Sequence, residues 1–186
     1  MKKLLFLLAA LLSNNAIAHE HEQFTQEGKA AIKEFAGTLK SSLVTAMKSG
    51  GPIEAISVCN DVAPSIAADI SNKYGFQVAR TSLKIRNPDN SADDWEKEIL
   101  FQFEASKQQG EEVKTLFVSE ATTQNGNHEL RMMKAIPTAE ICLTCHGSDI
   151  APAIQTKLDE LYPNDQATGF KLGDIRGAFT LRKTID

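Results

Sequence analysis

Cys142, Cys145 and His146 stand in the order Cys142-Leu143-Thr144-Cys145-His146, with Gly147 behind them. Two thiols three positions apart lie on one side of a helical turn, and an imidazole on the next residue reaches a point between them. Thiols so placed can add to the two vinyl groups at a porphyrin edge while the histidine ring meets the iron from one face. The spacing therefore points to covalent attachment of one haem c per chain, through Cys142 and Cys145, with His146 as an iron ligand. Two other chemistries use paired cysteines. A thioredoxin-like dithiol needs a strand before it and a long helix after it, whereas Pro137 and Ala139 precede this pair and Gly147 and Pro152 follow. A structural zinc site needs one more firm ligand, and the sequence supplies no second Cys pair or His pair.

A third cysteine, Cys59, is left over once the pair is consumed as thioethers. Free cysteines commonly serve as small buried hydrophobes, and that reading stands for Cys59. The other reading makes its sulfur the second axial ligand, since iron itself can lower the thiol pKa. Rival ligands are His128, Met132, Met133, Met47 and the near-terminal His19 and His21. A peroxidase needs a distal His and Arg together. His128 is the spare histidine of the folded part, and Arg131 falls on the other face of its strand, so the chain is not expected to be an enzyme.

The compartment follows from the N-terminus. Lys2 and Lys3 open the chain, Leu4 to Leu12 is apolar, Ser13-Asn14-Asn15 breaks the run, and Ala16-Ile17-Ala18 offers small residues for cleavage. The apolar stretch is too short to span a bilayer, so residues 1–18 read as a secretory signal peptide and 19–186 as one mature domain. No cysteine follows for lipid attachment and no second long apolar run appears, so no stable membrane anchor is expected. The product would be periplasmic in a Gram-negative cell. With no twin-arginine pair it would cross unfolded and take up haem outside the cytoplasm, from a cytochrome c maturation machinery. Losing Lys2 and Lys3 moves the formal charge from -4 to -6. An acidic surface without a basic cluster makes nucleic acid an improbable partner.

These residues need elements to position them. Ile32, Phe35, Leu39, Leu43 and Met47 recur at helical spacing, predicting a helix from Phe24 to Met47 that Gly50-Gly51 ends. A second helix starts at Pro52 with the stripe Ile53, Ile56, Cys59, Ala63, Ile66 and Ile70. Pro64 removes a backbone donor, so a break is expected near residues 60–63, just past Cys59, where it can aim that side chain into a pocket. A strand over Gln77 to Ile85 precedes the turn Arg86-Asn87-Pro88-Asp89-Asn90. Ser91 with Asp94 predicts a capping box for a helix through Trp95, Ile99 and Phe103. Val113 to Ser119 and Glu129 to Ile136 predict strands joined by a hairpin with Asn125-Gly126 at its tip. A short helix from Pro152 to Leu161, a loop from Asp165 to Gly173 and a last strand from Asp174 to Lys183 complete an α+β domain.

The stretches Arg80-Thr81-Ser82-Leu83-Lys84-Ile85-Arg86-Asn87-Pro88-Asp89-Asn90, Trp95-Glu96, Cys142 to Gly147, Ala167-Thr168-Gly169-Phe170 and Gly173-Asp174-Ile175-Arg176-Gly177-Ala178-Phe179 carry a resemblance. Together they resemble a family of single-haem c-type domains with a PAS-like core, found as small exported cytochromes and as ectodomains of bacterial sensor kinases and chemoreceptors. The resemblance implies N-terminal helices packed on a PAS-like antiparallel sheet. It also implies a six-coordinate haem, with His146 on one face and a cysteine from an N-terminal helix on the other. Val58-Cys59-Asn60 ahead of Ala63-Pro64 matches that position.

A thiolate ligand favours ferric iron, so a His/Cys pair implies a low reduction potential, and two filled axial positions leave no open site for a substrate. Electron transfer or redox sensing with an unidentified redox partner is the expected role. A carbon monoxide or nitric oxide sensor component is the alternative, and a small peroxidase the least favoured. Arg80, Arg86, Arg176 and Asn87 are candidates to meet the haem propionates, although solvated surface charge is the commoner fate of an arginine.

Overall fold

The computed structural model describes residues 2–124 and 126–185, with side chains from Ile17 onward apart from Gln124. Helix α1 spans Lys2–Ser49, longer at its start than the expected helix and unbroken at the predicted cleavage point. Most side chains of the expected leader lie outside the described residues. Among the described residues no helix is long and apolar enough to cross a membrane.

The buried side chains of α1, Phe24, Ala31, Ile32 and Phe35, recur at helical spacing and face a four-stranded sheet. A Cβ on Gly28 would lie 2.6 Å from Met132 Cε, so the missing side chain is what lets α1 approach the strand beneath it. The strands are β1 (Gln77–Thr81), β2 (Phe117–Gln124), β3 (Asn127–Pro137) and β4 (Ile175–Ile185), in the order β1-β4-β3-β2 with every pair antiparallel. Their side chains alternate between two covered faces. Val78, Leu130, Met132, Phe179 and Leu181 meet α1 and Ile66 and Ile70 of the later helix over residues 63–74, while Met133, Ala135, Ile175 and Ala178 meet Trp95, Ile99, Leu100 and Phe103 of the helix Asp94–Gln108, α4. Each fully buried Leu, Met or Phe here contributes about 1.5–3 kcal/mol of burial. The expected α+β domain, with N-terminal helices on a PAS-like antiparallel sheet, is the arrangement found.

After Gly51, which takes a left-handed φ of 71°, the second expected helix appears as three pieces: α2 (Gly51–Ser57), a π-turn (Val58–Val62) and α3 (Ala63–Tyr74). Pro64 has no N–H to offer, and the amide of Ala63 donates to the carbonyl of Val58, one residue wider than an α-turn. The expected break is thus a widened turn, and it contains Cys59. Ile53 of the expected stripe is exposed.

Several boundaries depart from the sequence reading: β2 and β3 run on into the expected hairpin, to Gln124 and from Asn127, and β4 runs from Ile175 to Ile185. Strand β1 ends at Thr81, and Ser82 instead forms an isolated bridge to Ser91. The capping box of α4 is made by Asp93 and Glu96, each accepting from the other's amide at 2.8 and 2.9 Å, instead of Ser91 and Asp94. Val113–Thr115 is a 3-10 turn, so β2 starts only at Phe117. The hairpin tip retains Gly126 at φ 83°, while Asn125 lies outside the described residues.

Candidate functional site

The cysteine pair and His146 occupy α5 (Glu140–His146), one short helix between β3 and α6 (Pro152–Leu161). Gly147 closes it, its amide donating to the Leu143 carbonyl at 2.9 Å, and a Cβ there would stand 2.6 Å from that oxygen. Ile154 and Leu158 of α6, with Tyr162 just past its end, pack with Ile56 of α2 and Cys145, tying the helix that leads into the Cys59 turn to the one that bears the pair.

Between these elements and the end of the sheet lies a cleft, open to solvent, with a cavity volume of about 190 Å³. Cys59, Cys142, Cys145 and His146 all line it, with apolar walls from Leu39, Leu43, Ile56, Ile136 and Ile141. All four residues singled out in the sequence are therefore brought together. No disulfide joins any of the three cysteines. Among the described residues no three His, Cys, Asp or Glu side chains converge on one point as a zinc centre requires.

His146 is held from behind. Its Nδ1 lies 2.7 Å from the carbonyl oxygen of Ala167, which can only accept, so the ring proton sits on Nδ1 and Nε2 is left with a free lone pair. The strap that presents Ala167 is fastened at several points. The amides of Gly169 and Phe170 donate to the carbonyls of Gly147 and His146, each at 2.9 Å, and the Gln166 amide donates to Ile85 at 2.8 Å. The Phe170 ring stands edge-on to the imidazole, centroids 6.2 Å apart. Burial, helped by the Arg176 and Arg86 charges, pushes the imidazole pKa down to about 2, so the ring is neutral, the form that binds metals. Burial raises the Cys59 thiol against the pull of Arg80, Arg86 and Arg176, and raises Cys145 likewise.

Of the rival iron ligands, Met47 reaches the cleft. Met132 and Met133 are wholly buried in the core on opposite sheet faces, His21 bonds Ser119 on β2, and His128 bonds Thr123 across the hairpin. Arg131, 1 % exposed, is paired with Asp93 and Glu96 beside the Trp95 ring, so it is not available as a distal arginine.

Arg86 is a brace. Its Nε donates to Asp165 at 2.9 Å and its Nη2 to the carbonyl of Cys145 at 2.6 Å, and Asp165 in turn accepts from the Ala167 amide at 2.8 Å. Asn87 caps its own turn by accepting from the Asp89 amide. Sequence reasoning missed Asp165 and Tyr162. Nothing in the spacing pairs Asp165 with Arg86, but an aromatic ending α6 is a signal for Tyr162, which lines the cleft and whose hydroxyl pKa burial and Cys59 push up to about 12.

A family described as Tll0287-like matches residues 10–183. The chain belongs to the Tll0287-like family. Among solved structures, the cyanobacterial haem protein Tll0287 is similar, with 21 % identity, covering 86 % of this chain and 96 % of that chain at a TM-score of 0.62. No curated protein matches the chain. The Tll0287-like match takes in α2, the π-turn, α5 and β4 as far as Lys183, so every wall of the cleft belongs to the family unit.

Proposed function

We propose that this chain is an exported single-haem c-type cytochrome acting in electron transfer or redox sensing, matured outside the cytoplasm after loss of residues 1–18. The observation that carries the reading is that Cys59, Cys142, Cys145 and His146 wall one apolar cleft. The likeness to a haem protein supports the choice of group.

The donor set fits a c-type haem. Cys142 and Cys145, three residues apart on α5, would hold the porphyrin edge as thioethers. His146 offers Nε2 to the iron because Ala167 fixes its tautomer. Cys59, presented by the π-turn, would be the second ligand, and the apolar side chains of the cleft would cover much of the group's surface. A haem held between imidazole and thiolate supplies low-potential one-electron chemistry. With both faces engaged by the chain, no position is kept for a substrate, so the reading is of a carrier or sensor working with a redox partner and not of an enzyme.

One observation favours the sensor variant. Cys59 lies in a π-turn, a widened turn frequent at functional sites, and movement there would be transmitted directly into α2 and α3. A redox titration with and without carbon monoxide tests the proposal. A reversible couple whose spectrum ignores carbon monoxide marks a carrier, and carbon monoxide uptake on reduction with loss of the sulfur ligand marks a sensor. Sustained turnover with peroxide contradicts both.

A further inference from the structure

Three guanidinium groups wall the cleft, those of Arg80, Arg86 and Arg176, and among the described residues no acidic one does. Arg86 is matched by Asp165, behind the wall, in an ion pair of 2.8 Å with both side chains under 10 % exposed. The other two differ. Among the described residues no hydrogen bond or ion pair reaches the Arg80 guanidinium, and its neighbour is the Phe35 ring at 5.7 Å. Arg176 has a buried Nε with no partner, and its Nη1 makes only 3.4 Å contacts to Ser82 and the Lys84 carbonyl. Its plane lies over the Phe170 ring at 5.2 Å. Two half-buried cations with no ion-pair partner of their own, Arg176 feeling Asp165 only at a distance, are costly, and a fold that retains them calls for an anionic ligand.

We infer that Arg80 and Arg176 form a binding site for two carboxylates, the propionates of the haem, whereas Arg86 serves the fold; this rests on the haem reading above. Charge matching supports the assignment. Ferric porphyrin with one thiolate ligand is neutral at its centre, so the two propionates are its remaining charge, and two guanidinium groups remain to meet them. The shape of the guanidinium suits the task, since a planar fork can bond both oxygens of a carboxylate. Independently of the geometry, burial and the Arg86 and Arg80 charges lower Arg176 to about 10, the strain expected of a cation lacking its anion.

The consequence is a reversal of sign. Arg80→Gln and Arg176→Gln are to be made both in haem-loaded protein and in a full-length haem-free form carrying Cys142→Ala and Cys145→Ala. Each should raise the thermal midpoint of the haem-free form, by about 2–4 °C for each kcal/mol of repulsion relieved, and lower that of the loaded form. In the loaded form each should also raise by about one pH unit the step that propionate protonation gives in the reduction potential against pH, with Arg→Lys restoring part of it. That second measurement stands if the haem-free form does not fold. Stability changes of one sign in both forms, or a potential step left in place, would overturn the assignment. A change confined to the thiolate spectrum would overturn it too, making Arg80 the counter-charge of Cys59. Failure of the wild type to take up haem would instead sink the haem reading, and this site with it.

Discussion

The Nδ1 of His146 and the carbonyl oxygen of Ala167, 21 residues apart in sequence, meet at 2.7 Å. That contact decides the chemistry of the imidazole. It fixes the proton on one nitrogen, orients the ring and leaves the other nitrogen for a metal. It exists because the strap over residues 165–170 is tied to α5 by backbone bonds and to Arg86 through Asp165.

Breaking the brace should therefore cost both stability and ligand geometry. Arg86→Ala leaves Asp165 as an uncompensated buried carboxylate, and about 3–5 kcal/mol of unfolding free energy should be lost in a urea titration. The exposed pair Lys73 and Glu34, at 2.7 Å, is the control, and Lys73→Ala should leave the urea midpoint nearly unchanged. Equal effects at the two sites would show that Arg86 does not hold the strap.

Gly147→Ala drives a Cβ toward the Leu143 carbonyl at the end of α5. Relief requires the helix end to shift, carrying His146 with it, at a cost of about 1–3 kcal/mol. Thermal denaturation should show the loss, and the visible spectrum of loaded protein should show a perturbed histidine face. Wild-type stability and spectrum together would mean that the close approach is not needed.

Cys59→Ala separates attachment from ligation. The porphyrin should stay covalently bound through Cys142 and Cys145 while the thiolate-type ferric spectrum disappears. An unchanged spectrum would return Cys59 to the role of a buried thiol and promote Met47, which lines the same cleft.

Acid should weaken the far side of the sheet through Asp93. Burial works to raise its pKa, but the Glu96 amide, Arg131 and Arg182 outweigh it and hold the carboxyl below its ordinary value. A depressed carboxylate stabilises the fold above its unfolded pKa, and that stabilisation is lost as pH falls through the folded value. Asp93→Asn, which keeps the cap, should lower stability at neutral pH and flatten part of the acid limb of a stability profile. A parallel profile would remove Asp93 from the account.

Local chemistry was legible in the sequence, and long-range pairing was not. The spacing at Cys142, Cys145 and His146 and the break at Pro64 depend on neighbours a few residues away, and each appears as a single helical turn and a π-turn. The capping box was misplaced because Ser91 and Asp93 both suit an N-cap, and the choice falls to Arg131 and Arg182, which bond Asp93 at 2.8 and 2.7 Å from other strands. The pairing of Arg86 with Asp165 is not legible in the sequence because the two stand 79 residues apart. Strand β1 stops at Thr81 because the chain turns there to carry Ser82 and Arg86 toward the cleft, a tertiary demand that alternation of side chains does not register.

The most direct test of the central claim is the intact mass of the product, residues 19–186, matured from the full sequence in cells with a working cytochrome c assembly system, taken after acid-acetone extraction. The account predicts a coloured polypeptide heavier by one haem, with the increment lost in Cys142→Ala/Cys145→Ala. A colourless product at the bare polypeptide mass would contradict it.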